Sequence, residues 1–128
     1  MHHQPSTAEF EIYVRRALQL LPQELAEQTK DVVIRVLEFA DNEVLDEMGI
    51  DDAYELLGLY QGVSLNHRSV FDTGHEPDFV FLYRQPILAY AAAEGLTLEA
   101  VVRNVVIHEI GHHFGFSDDD MHDLEESD

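Results

Sequence analysis

Two histidines four residues apart, His108 and His112, with a glutamate directly after the first, are the residues of this chain whose types and spacing could do chemistry. On a helix, side chains four apart stack on one face, so both imidazoles can reach a single cation. Glu109 leans toward that face but is displaced, which suits a carboxylate that handles the proton of a water rather than one that holds the metal. The implied chemistry is hydrolysis by a zinc-activated water, with Glu109 as general base.

Two imidazoles do not complete such a site, because a catalytic zinc commonly has three protein ligands. Gly115 stands three residues after His112, where a positive φ can stop a helix and turn the chain, and Asp118 follows three residues later. The composite pattern is His-Glu-x-x-His-x-x-Gly-x-x-Asp, so the expected metal ligands are His108, His112 and Asp118. Asp119, Asp120 and His122 lie close enough in sequence to stand as alternative third ligands, and the spacing favours Asp118. In a shuffled chain of this composition the five-residue motif arises roughly 5% of the time, so it means little alone. The extended pattern falls to roughly 0.05%, and it carries the reading. Polar residues at a helix end, where cations suit the dipole, would account for the histidines but not for Glu109 or Gly115.

The remaining histidines fit other roles. His113 is turned about 100° from His112 on a helix, which predicts a supporting or packing role. His67 and His75 fall in a loop-like stretch and are expected to be solvated, and His2 and His3 belong to a terminus expected to be mobile. Tyr60 and Tyr83 could stabilise an oxyanion, although aromatic packing is the simpler reading for each.

These residues need elements to hold them. Phe10, Val14, Ala17, Leu18 and Leu21 recur at helical spacing from Ser6 or Thr7 until Pro22. Val32 to Phe39 reads as a strand, and the acidic segment from Asp41 carries a short helix capped by Gly49. Leu56 to Val63 reads as a second strand, in which Gly58 and Gly62 permit a bulge or a close backbone approach. After a loop from Asn66 to Pro77 comes Asp78 to Tyr83, a short strand whose flanking polar residues suit a sheet edge, where a peptide could add as a further strand. Pro86 suits the first turn of a helix that runs to Gly95. Thr97 then caps a last helix that continues through Phe114, on which His108 and His112 extend the stripe of Leu98, Val101 and Val105 toward a cleft.

At 128 residues, with no Ser/Gly/Pro-rich linker, the chain is expected to form one domain over residues 1–128, with an acidic tail at about 119–128. Its 7 basic and 26 acidic residues give a formal net charge of -19, which repels phosphate backbones and anionic membranes; the same field favours cationic substrates, although solubility alone is the simpler reading of it. Nucleic acid is therefore an unexpected partner, and a zinc ribonuclease with histidines four apart fits less well for the same reason. The absence of cysteine leaves only His, Asp and Glu to bind a metal and fits the cytoplasm. Neither a signal-type apolar run nor a membrane-spanning stretch is evident.

The segment HEIGHHFGFSDDDM, from His108 to Met121, resembles the extended zinc motif of metzincin-like peptidases in the branch with Asp as third ligand. Together with LYQGVSL and PDFVFLYRQPI it is more closely similar to the small bacterial zincin-like metallopeptidase family, over roughly residues 10 to 122. The resemblance implies an α/β (α+β) zincin-like domain, with a small mixed sheet of about three to four strands against helices that include the active-site helix. It also implies a zinc ion, a peptide or protein substrate, and a metallopeptidase activity. A zinc-containing binding module with little proteolytic activity is the alternative. Larger metzincins place a methionine turn beneath the metal, and here Met121 is the methionine available beyond Asp118.

Overall fold

Ser6 starts the first helix: its hydroxyl accepts the backbone N–H of Glu9 at 3.3 Å, and α1 runs from Thr7 to Gln19. The computed structural model describes residues 6–62 and 78–114. Phe10, Val14 and Ala17 form the buried stripe of α1, as their spacing predicts. Pro22 ends that pattern and at the same time caps a further short helix, α2 (Gln23–Gln28), which the sequence reading missed. Its residues are good helix formers, but none is buried, so no apolar period announces it.

Strand β1 (Val33–Leu37) is followed by α3 (Asn42–Met48), a single 3₁₀ turn at Ala53–Glu55, β2 (Gly58–Gln61) and β3 (Phe79–Tyr83). Gly49 closes α3 with φ 69°, and the next amide, Ile50, donates back to the carbonyl of Leu45 at 2.9 Å. Helix α4 (Arg84–Glu94) begins directly off β3, with Pro86 in its first turn, and ends on Gly95 at φ 66°. Helix α5 (Leu98–His113) is the last element among the described residues.

The three strands form a mixed sheet in the order β1-β3-β2. β1 runs parallel to β3, with Val33 opposite Phe79 and Leu37 opposite Tyr83, and β2 runs antiparallel, with Gly58 opposite Leu82 and Gln61 opposite Phe79. The expectation that Asp78 to Tyr83 forms a sheet edge is thus overturned. β3 is hydrogen-bonded on both sides and offers no edge to a peptide; among the described residues the edges belong to β1 and β2. The reason lies in β3 itself: Val80 and Leu82 are fully buried on one face and Tyr83 on the other, a two-sided burial that suits a central position.

Alternation along β3 divides the core. Val80 and Leu82 join Phe10 and Val14 of α1, Ile87 of α4, and Val102, Val106 and Ile110 of α5. Tyr83, on the opposite face, packs with Ala40, Leu45 and Leu56 under α3 and the 3₁₀ turn. The result is an α+β arrangement in which α5 lies against α1 and across β2 and β3. No helix among the described residues is long and apolar enough to cross a membrane.

Candidate metal centre

Helix α5 is set from its first residue. Thr97 Oγ1 accepts the backbone N–H of Ala100 at 3.2 Å, and Glu99 places a negative charge in the first turn. Val102, Val106 and Ile110 then turn into the core. That commitment rotates Val105, His108 and His112 to a half-buried flank beside it, since residues three and four apart share a face. The imidazoles of His108 and His112 stand with ring centroids 5.0 Å apart and planes at 82°.

Glu109 is drawn inward to 8% exposure. One donor atom each from His108, Glu109 and His112 lies within 4.8 Å of the other two. These atoms stand close enough to gather around one metal ion, and the two imidazole nitrogens are donors of the type zinc takes, with the Glu109 carboxylate beside them. Gly115 and Asp118, with Asp119, Asp120, Met121 and His122, lie outside the described residues. So do His2, His3, His67 and His75.

A groove of about 340 Å³ opens beside the cluster, and His108 and Glu109 form part of its wall together with Val101 and Val105 of α5 and Leu57 and Gly58 of β2 and the residue before it. The cleft expected beyond the stripe of Val101 and Val105 is this groove. Gly58 makes the approach possible: a Cβ there would lie 2.6 Å from a methyl of Val105 and 3.3 Å from Cγ of Glu109. The close backbone approach read from the glycine is therefore an approach to the helix that carries the motif.

On the far side of α5, His113 is buried to 3% exposure. Its Nδ1 lies 2.8 Å from Oδ2 of Asp78, close enough for an ion pair although not aligned as a hydrogen bond. Asp78, at the entry to β3, is itself 4% exposed, and its carbonyl accepts the amide of Val33 at 2.9 Å. Gly62 leaves the space for this carboxylate, because a Cβ there would sit 2.7 Å from Cγ of Asp78. The ring of Tyr60 meets His113 edge-on at 5.8 Å. Sequence reasoning placed His113 away from the metal face but did not find Asp78, whose one signal was an acidic residue directly before an apolar strand.

Tyr83 is 2% exposed, and its phenol is pushed up to about 12, chiefly by burial and further by the charges of Asp41 and Glu109. It is a packed, neutral ring close to the charge of Glu109 rather than a group exposed to the groove.

The description of the zincin-like metallopeptidases matches residues 29–127, which includes the sheet, α5 and the whole His-Glu-x-x-His-x-x-Gly-x-x-Asp pattern. The chain belongs to this zincin-like family. Comparison with individually curated proteins finds no match. For a zincin-like protein the combination is coherent: a helix carries His108 and His112 one turn apart with Glu109 beside the first, and an edge strand comes close to it at Gly58.

Proposed function

We propose that this zincin-like protein is a zinc-dependent peptidase, with His108, His112 and Asp118 as the metal ligands and Glu109 as the general base. The convergence of the His108, Glu109 and His112 donor atoms within 4.8 Å, at the wall of an open groove, carries the reading. Zinc, when bound, supplies Lewis-acid polarisation of the peptide carbonyl and makes water acidic enough to be used at neutral pH.

The rest belongs to the chain. Glu109 takes the proton of the attacking water on its carboxylate and returns it to the leaving amine. Its burial limits competing water around that proton, and Gly58 keeps the backbone of β2 close to it. A substrate backbone lies beside the start of β2 rather than along β3, because both sides of β3 are already hydrogen-bonded.

Metal analysis of the purified protein, paired with cleavage profiling on a mixed peptide library, tests the proposal. Stoichiometric zinc and reproducible cleavage are expected. Glu109→Gln is expected to keep the zinc and lower turnover by about 10²–10⁴-fold. Unchanged turnover in that variant sinks the base assignment, and zinc binding without any cleavage by the parent protein favours a binding module instead.

A further inference from the structure

The groove beside His108 and Glu109 combines an aliphatic lining with an exposed acidic residue. Leu57, Leu96 and Val105 supply an aliphatic lining, and Glu55 and Asn104, both solvent-exposed residues, belong to the same lining. Leu96 is 45% exposed and Tyr90, a further part of the wall, is 43% exposed, so large apolar surface next to the candidate centre lies open to water. No lysine or arginine is among the described residues that line the groove. Its volume of about 340 Å³ lies at the small end for ligand sites, about 300–1,000 Å³, which suits one long side chain.

We propose that this groove is a specificity pocket that takes a lysine or arginine side chain of the substrate, its stem against Leu57, Leu96 and Val105 and its charged head at Glu55. The proposal rests on the peptidase reading of the same site. Long cationic side chains lay an aliphatic stem along apolar surface while keeping the charge in water, and the groove offers aliphatic lining together with the exposed carboxylate of Glu55. The formal net charge of -19 adds a general attraction for cationic peptides, and Glu55 is the exposed acidic residue of the lining that localises it.

The test measures binding separately from cleavage. A host peptide carries Lys, Leu or Glu at each position in turn, and its affinity for the zinc-loaded Glu109→Gln protein is read by fluorescence anisotropy. At one position Lys is expected to bind about three- to fivefold tighter than Leu, with Glu weakest, as for a partly exposed ion pair. Glu55→Lys is expected to reverse the order of Lys and Glu at that position, a swing of about tenfold or more, with zinc content unchanged. Reversing Glu24, on α2 and outside the groove lining, is expected to leave the order intact, which separates Glu55 from the general field of the protein.

An order unaffected by Glu55→Lys, Leu equal to or better than Lys at every position, or no detectable binding of any peptide overturns the pocket assignment. Cleavage by the parent protein without a Lys or Arg preference sinks the pocket and leaves the peptidase reading standing. Glu55-dependent binding of Lys peptides without cleavage does the reverse.

Discussion

His113 Nδ1 sits 2.8 Å from Asp78 Oδ2 with both side chains 4% exposed, so the end of the motif-bearing helix is tied to the entry of the central strand. His113 directly follows His112. Asp78 is in turn held by the amide of Val33 and seated over Gly62, so β1, β2, β3 and α5 meet at this one pair. Buried polar pairs of this kind contribute little net stability against an apolar replacement, but losing one partner strands the other.

Asp78→Ala is therefore expected to lower unfolding free energy by about 3–5 kcal/mol, whereas Asp78→Asn, which keeps the shape and a polar contact, is expected to cost clearly less. Urea denaturation followed by circular dichroism reads both. A loss below about 0.5 kcal/mol for the alanine variant would show that the pair does not tie the two elements.

Gly58 should tolerate no side chain without movement. An alanine there would bring its Cβ to 2.6 Å from a Val105 methyl and 3.2 Å from the Phe81 carbonyl, so β2 must shift from α5. The expected cost is about 1–3 kcal/mol, with reduced turnover because Glu109, the proposed general base, is also within reach of the added methyl. Thermal unfolding and peptide-cleavage rates check the two effects, and a variant with unchanged values in both contradicts the close approach.

Tyr83 predicts a loss of stability in alkali. Its phenol titrates at about 12 in the folded protein against an ordinary 10.0, so between those values the unfolded chain gives up a proton that the folded protein keeps. Stability is then full below about pH 10 and falls as pH rises toward about 12. Tyr83→Phe is expected to flatten that part of the profile, measured as denaturation midpoints between pH 9 and pH 11.5, both chosen to bracket roughly the onset of the window. An equally steep profile in the variant would assign the slope to other groups.

If Asp118 is the third ligand, as proposed, its removal should weaken zinc binding more than removal of its neighbours. Asp118→Ala is expected to lose zinc to a chelator at about tenfold or more lower competitor concentration, while Asp119→Ala and Asp120→Ala retain it. If His122→Ala or one of the neighbouring Asp variants loses the metal and Asp118→Ala does not, the ligand is that residue.

Much of this protein was legible in short stretches of sequence. Ser6, Gly49, Gly95 and Thr97 mark helix ends by chemistry that acts within one turn, and the structure uses all four as caps. His108, Glu109 and His112 meet because a helix stacks residues four apart wherever it is placed. What no local pattern could decide was which strand lies at the centre, since β3 has its place from hydrogen bonds to β1 on one side and β2 on the other. The pairing of Asp78 with His113, the space Gly62 leaves for it, and the place of Glu55 in the lining of the groove likewise depend on elements distant in sequence. Helix caps and motif spacing are short-range and survive in the sequence alone; strand order, buried pairs and pockets are long-range and arise only when packing brings the elements together.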